Sequence, residues 1–283
     1  MDLHSLVFLP RRSARRLSGP GFAPPLVITG ADFRFIVTDQ LAQAGLPSGD
    51  VLIEPAGRNT APAVLAAALW LLARDPEALM LVAPSDHAIP DADAFVRTVQ
   101  GGVDAALAGQ LVTFGITPTR PETGYGYIEL GPDTGAPARP VARFVEKPDR
   151  ATAETYLADG FVLNSGNFAF SVGTMLSELE RLAPDVLSAT RKAVEESQRD
   201  LDFLRLGESA FAASPTISID YAVMEKTKTG GVLSASFGWS DVGSWDALHD
   251  IKPQDEDGNV IEGNALALKT KGSFVRADDM LTT

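Results

Sequence analysis

The chain has 283 residues, of which 45% are hydrophobic, enough for one large soluble α/β domain with a small appendage. Its formal net charge of −13 excludes the nucleic-acid backbone as a partner, because phosphate chains need a basic face; a single nucleotide can still be held by a few amides, cations and a metal. There is no cysteine, which excludes disulfides and thiolate metal sites and fits a reducing cytoplasm.

The N-terminal stretch MDLHSLVFLPRRSARRLSG is basic, but its apolar part precedes its arginines. That order is wrong for a secretory signal; a transit peptide stays open. PPLVIT reads as a short buried strand, and Thr29 with Asp32 as a capping-box variant opening a helix that stops at Gly45. VLIEP is the next strand, followed by a helix over Thr60–Arg74. This segment holds the longest apolar run, Ala61–Ala73, too short for a bilayer and interrupted by proline, so no membrane contact is expected. LMLVAP is a third strand, followed by a helix from about Asp91 to Ala108 ended by Gly109; LVTFGI is a fourth. Strands alternating with amphipathic helices predict a doubly wound, mostly parallel α/β sheet with ligands outside the strand C-termini.

From Thr123 the pattern changes. GYGYIEL and PVARFVEKP read as half-exposed strands, with helices near Asp149–Asp159 and Gly173–Leu182 and further helix over Pro184–Ser214. GGVLSASFGWSDVGSW returns to strand and loop before a helix at about Ser244–Ile251. QDEDGN is an acidic break, and the tail alternates apolar and polar residues as β structure does. The expected division is one large α/β unit over residues 1–252, with an atypical or truncated N-terminus, and the truncated start of a β-rich domain over 253–283.

Several stretches place chemistry at strand ends. Ser85, Asp86 and His87 follow the third strand, where Asp86 is either a ligand group or a turn-forming cap. EPAGRNTAPA puts Arg58, Asn59 and Thr60 between the second strand and the next helix, either as a nucleotide loop or as a well-capped connection. In ETGYGYIE two glycines flank Tyr125, so the backbone can lie against a ligand or simply turn. FVEKP ends a strand in Glu146 and Lys147, which should face opposite sides and so not pair. NSGNFAF sets Asn164 and Gly166 among aromatics, and WSDVGSW carries Asp241 in a loop before a helix.

Taken in order, EPAGRNTAPA, LVAPSDH, FGITPTRPETGYGYIE, FVEKP, LNSGNFAF, SIDYAVMEK and FGWSDVGSW closely resemble the bacterial mannose-1-phosphate guanylyltransferases, within the sugar-nucleotide pyrophosphorylases. The likeness runs from about Ala14 to Val275. It implies an enzyme: an oxygen of mannose 1-phosphate attacks the α-phosphorus of GTP, giving GDP-mannose and pyrophosphate for polysaccharide synthesis. It also implies Mg²⁺ held by Asp86 and Asp241, which with Lys147 would be the catalytic set. Arg58, Asn59, Thr60, Ser85 and Asp86 would bind the nucleotide, and Gly126, Glu146, Asn164, Gly166 and, more weakly, Asp220 the sugar, with His87 structural. Lys147 would face the sugar phosphate. A cytoplasmic enzyme, with a homodimer compatible, is the corresponding setting.

The family's opening loop, G-G-x-G-T-R-L followed by P-K, has no counterpart in Met1–Ser13; Arg11, Arg12, Arg15 and Arg16 are the cations in its place. Low activity, exposed sheet edges and a fragment, misassigned start or degenerate copy are the expectations that follow. Two other readings stay open: another sugar-1-phosphate nucleotidyltransferase, and a non-catalytic sugar-phosphate-binding homologue.

Overall fold

The computed structural model describes residues 9–46 and 49–282. The targeting reading of the first eight residues and the side chains of Arg11 and Arg12 lie outside the described residues.

The elements run α1 (Leu9–Arg16), β1 (Val27–Gly30), α2 (Arg34–Gln43), β2 (Val51–Glu54), α3 (Thr60–Leu72), β3 (Leu79–Val82), α4 (Ala92–Gly101), α5 (Val103–Leu107) and β4 (Leu111–Ile116). There follow β5 (Tyr127–Leu130), β6 (Arg139–Val145), α6 (Arg150–Ala158), β7 (Val162–Ser171), α7 (Val172–Leu182), α8 (Pro184–Glu195), β8 (Gln198–Asp200) and β9 (Phe203–Arg205). The chain ends with α9 (Glu208–Ala212), a π-helical turn at Asp220–Met224, β10 (Gly230–Ala235), α10 (Trp245–Ile251), β11 (Val260–Ala265) and β12 (Phe274–Thr282).

The α/β class is as expected, but the sheets are mixed rather than mostly parallel. One sheet has the order β1-β2-β9-β8 and the other β3-β7-β4-β10-β6-β5. β1, β2 and β9 are mutually parallel, as are β4 and β10. The α4–α5 crossover keeps β3 and β4 in one direction, and β7 slots antiparallel between them. β1 and β3 are edge strands of their respective sheets.

Local chemistry explains most boundaries. Asn59, at φ 66°, caps α3 by accepting the Thr60 N–H. The helix behind it is rich in Ala and Leu and apolar nearly all round, so it is buried: Ala61, Leu65, Ala66 and Ala68 have no exposed surface. Asp149, Ser171 and Ser244 cap α6, α7 and α10 through their side chains.

Three expectations need correction. The Thr29–Asp32 box does not form: β1 runs on to Gly30, and neither the 3₁₀ turn at Ala31–Phe33 nor α2 has a side-chain cap. The single helix over Asp91–Ala108 is broken at Gly102, where two successive glycines weaken helix propensity and a Cβ would come within 3.2 Å of Val112. The helix over Pro184–Ser214 is interrupted by the β8–β9 hairpin, which turns at Leu201 with φ 58°. There β9 pairs with β2 and buries Phe203 and Leu204, so tertiary pairing overrides the local preference.

The main core lies between α3, α7, α8 and the larger sheet, around Leu65, Phe168, Phe170, Met175 and Leu179. Beyond Lys252, β11 and β12 form a parallel pair tied to α10 by the contact of Trp245 with Phe274 and by His249 Nε2 to the Gly258 carbonyl, 2.8 Å. Among the described residues no helix is long and apolar enough to cross a membrane.

Candidate active site

β7 supplies the floor. Its first half pairs with β4 and β5, and its second half with β4 and β3. At the changeover three residues, Ser165–Asn167, face the single residue Phe114 on β4, a bulge in which Gly166 has φ 70°. A Cβ on Gly166 would approach His87 Cε1 at 3.3 Å, so the bulge lies directly under the end of β3.

On the β3 side, Ala88 and Ser240 form an antiparallel bridge with reciprocal hydrogen bonds of 2.9 and 3.0 Å. This seats the Ser85–His87 turn beside Asp241, although the two segments are about 150 residues apart in the chain. Asp86 is exposed and Asp241 half-buried. Asp241 Oδ1 accepts from the Tyr125 hydroxyl at 2.7 Å and the Gly243 N–H at 3.0 Å. Asp241 Oδ2 and both Asp86 oxygens accept no hydrogen bond among the described residues.

His87 feels the charge of both carboxylates. Its Nδ1 accepts from Trp239 Nε1–H at 3.1 Å, with the two rings edge to face. Burial lowers the imidazole's pKa and nearby Arg16 adds to that effect, while Asp86 and Asp241 oppose it. Ser85 is exposed, and its carbonyl accepts the Ser13 hydroxyl at 3.3 Å, tying α1 to this turn. Arg16 on the same helix is only 8% exposed, and burial lowers its guanidinium pKa to about 10.

On the β5–β6 side, Tyr127 pairs with Val145, which sets Gly126 opposite Glu146. A Cβ on Gly126 would fall 2.6 Å from Glu146 Oε2, so glycine here lets that carboxylate keep its position. Glu146 and Lys147 do pair, at 3.6 Å, contrary to the strand-alternation argument. The strand has ended at Val145, and Lys147 adopts φ 48°, which brings its side chain back toward its neighbour. Burial and the Asp220 carboxylate push the Glu146 carboxyl up to about 7, against the opposing pull of Lys147.

Asn164 Nδ2 donates to Asp220 at 3.0 Å, while its Oδ1 accepts from the Thr113 hydroxyl at 2.7 Å and the Gly166 N–H at 3.2 Å. Burial raises the Asp220 carboxyl pKa. The Asn164 N–H donates to the Gly126 carbonyl at 2.8 Å. Gly126, Glu146, Lys147, Asn164 and Asp220 therefore form one cluster, and Asp86, Asp241 and their aromatic supports a second. Tyr125 and Gly126 join them at one side, Gly166 and His87 at the other.

The loop of Arg58, Asn59 and Thr60 is spent largely on holding the approach to Asp220. The Arg58 guanidinium donates to the Ala212 carbonyl and to Thr216, and Thr60 Oγ1 accepts the Ile219 N–H at 2.9 Å. The residues that sequence reasoning left without a role are Tyr125, Trp239 and Glu225, which accepts the Glu146 N–H at 3.0 Å. The contact between Tyr125 and Trp239 had no signal in the sequence, because it spans 114 positions. Among the described residues no group of three or more acidic or histidine side chains surrounds a metal. Two carboxylates with unused hard oxygens, on segments joined by the Ala88–Ser240 bridge, nevertheless suit a divalent cation whose remaining ligands come from phosphate and water.

Residues 11–258 match the nucleotidyl transferase family. The xanthan biosynthesis protein XanB of Xanthomonas campestris is 49% identical over 251 residues, 88% of this chain and 53% of that protein. The mannose-1-phosphate guanylyltransferase ManC of Salmonella typhimurium is 47% identical over 275 residues, 95% of this chain and 57% of that protein. This chain thus spans little more than half the length of these curated relatives. A crystal structure described as mannose-1-phosphate geranyltransferase from Thermus thermophilus superposes with a TM-score of 0.85 at 36% identity, covering 97% of this chain and 79% of that one.

Proposed function

Since the chain belongs to the nucleotidyl transferase family, we propose that it transfers GMP from GTP to mannose 1-phosphate, forming GDP-mannose and releasing pyrophosphate. The observation that carries this reading is the junction of the two clusters: a pair of carboxylates with unused oxygens set against a pocket of Glu146, Asn164 and Asp220, with Lys147 at its rim. Its relative ManC is a mannose-1-phosphate guanylyltransferase by name.

In the reaction a phosphate oxygen of mannose 1-phosphate forms a bond to the α-phosphorus while the bond from that phosphorus to the β-bridging oxygen breaks. Pyrophosphate leaves with the electron pair, and no proton transfer is needed. The barrier is the approach of two anions, so positioning and charge neutralisation dominate. Asp86 and Asp241 would hold a divalent cation, as the family employs, with Mg²⁺ the proposed ion. When bound it would neutralise phosphate charge. Lys147, 58% exposed at its side chain, is free to swing from Glu146 onto the sugar phosphate. Glu146 and Asp220 accept from sugar hydroxyls, and Asn164 keeps one amide proton for them beyond its bond to Asp220. Gly166 and Gly126 bring backbone close to the sugar. The loop of Arg58, Asn59 and Thr60, held in place by its bonds to Ala212 and Ile219, would border the nucleotide with Ser85, and β11 and β12 would belong to a β-rich unit tied to α10.

The test is pyrophosphate release by this chain with mannose 1-phosphate and GTP, against ATP, UTP and dTTP. Preference for GTP supports the reading. Preference for another nucleotide overturns the guanylyl assignment, and sugar-phosphate binding without any nucleotide-dependent release favours a non-catalytic homologue.

A further inference from the structure

An aspartate on a loop has a broad, two-fold side-chain torsion, so nothing intrinsic decides which oxygen faces a ligand. In Asp241 the choice is made by two donors. The Tyr125 hydroxyl at 2.7 Å and the Gly243 N–H at 3.0 Å both select Oδ1, which leaves Oδ2 beside Gly243 with no hydrogen bond among the described residues.

Tyr125 is itself held at both ends. Its ring meets Trp239 edge to face with centroids 5.1 Å apart, and Trp239 is pinned by its hydrogen bond to His87. Its carbonyl accepts the Lys147 N–H at 3.2 Å, and the next carbonyl, of Gly126, accepts the Asn164 N–H at 2.8 Å. The main chain of Tyr125 thus belongs to the Glu146–Asn164 cluster while its hydroxyl belongs to the Asp86–Asp241 cluster.

We propose that Tyr125 is a positioning residue: it fixes the Asp241 carboxylate with Oδ2 presented to a divalent cation, and it anchors that carboxylate to the sugar-side backbone. This rests on Asp86 and Asp241 being the cation's ligands. Hydrogen bonds to a ligating carboxylate orient it, and their loss typically lowers metal affinity about 10–100-fold.

The experiment is a Mn²⁺ titration of the full chain followed by electron paramagnetic resonance, with Mn²⁺ alone as the probe, on the unsubstituted protein, Tyr125→Phe and Asp241→Asn. Phenylalanine keeps the ring on Trp239 and the main chain in place while removing only the hydroxyl. Mn²⁺ affinity is expected to fall about 10–100-fold in Tyr125→Phe. In the same variant mannose 1-phosphate affinity, measured by calorimetry without metal, is expected to stay unchanged. That split is one a general loosening of the loop would not produce.

Equal Mn²⁺ affinity in Tyr125→Phe and the unsubstituted chain overturns the role of the tyrosine while leaving the two carboxylates as ligands. A parallel loss of Mn²⁺ and sugar-phosphate affinity overturns it as well, since the residue would then be holding the loop together. If the unsubstituted chain shows no Mn²⁺ site that Asp241→Asn removes, the metal reading fails and this inference with it.

Discussion

Gly126→Ala puts the proposed sugar pocket under a graded steric load. Gly126 does not lie in the left-handed region, so alanine fits the backbone and only the new methyl acts. That methyl would stand 2.6 Å from Glu146 Oε2 and 3.1 Å from two carbons of the Phe144 ring. Phe144 is 6% exposed and has nowhere to retreat, so the carboxylate must give way. Relaxing to an ordinary carbon–oxygen approach of about 3.3 Å requires a shift of about 0.7 Å, enough to break a hydrogen bond to a sugar hydroxyl. A hydrogen bond to a charged group contributes about 1.5–3 kcal/mol, which corresponds to a loss of roughly 10–150-fold in affinity. Isothermal calorimetry of mannose 1-phosphate binding reads this directly, with a melting curve to verify the fold. A variant that melts with the parent and binds the sugar phosphate equally well would refute the placement of Glu146 in the sugar site.

Glu146→Gln should change the pH response in two ways. Because the folded carboxyl is raised from 4.5 to about 7, the native state holds a proton there that the unfolded chain has released. Stability therefore declines as pH rises from 4.5 to about 7, and glutamine removes that decline in pH-dependent chemical denaturation. Sugar-phosphate binding should strengthen as pH passes about 7 in the parent, as the acceptor ionises, and lose that dependence in the variant. Asp241→Asn should leave the melting temperature near that of the parent and reduce pyrophosphate release by about 10²–10³-fold; a near-parental rate would remove Asp241 from the chemistry. Thr113→Val deletes a fully buried hydroxyl that donates to Asn164 Oδ1 at 2.7 Å and to the Asn167 carbonyl at 3.1 Å. Asn164 Oδ1 would keep only the Gly166 N–H, and the loss of the buried hydroxyl's donation should cost about 1–3 kcal/mol in a denaturant titration.

The βα half of the fold was legible because its signals are local. The apolar runs at VLIE and LMLV and the glycines at 45 and 109, both at positive φ, end their elements where the pattern says. The β8–β9 hairpin was not legible, because what makes Phe203–Arg205 a strand is an edge offered by β2, over 140 positions earlier. The same division holds at the site. Asp86 and Glu146 stand out by their positions just past strand ends, Asn164 by its place among small residues and aromatics, and Asp241 as the one carboxylate of its loop. The Glu146–Lys147 pair was misread because strand alternation fails once the backbone turns left-handed at Lys147. Arg58 and Thr60 look like free ligand groups in sequence, but the partners that occupy them, Ala212 at the end of α9 and Ile219 just before the π-helical turn, lie over 150 positions away.

The bulge at Ser165–Asn167 gives the molecule an unusual sensitivity to chain length. Because side chains on a strand alternate, deleting a single residue there would turn Asn164 and every residue before it in β7 to the opposite face, while Phe168–Ser171 kept their register with β3. Asp220 would then lose its amide donor and Gly126 its hydrogen-bonded neighbour in one stroke. The pocket's shape is thus written into the count of residues as firmly as into their identities, which the positive φ of Gly166 and the burial of Ser165 and Asn167 constrain as well.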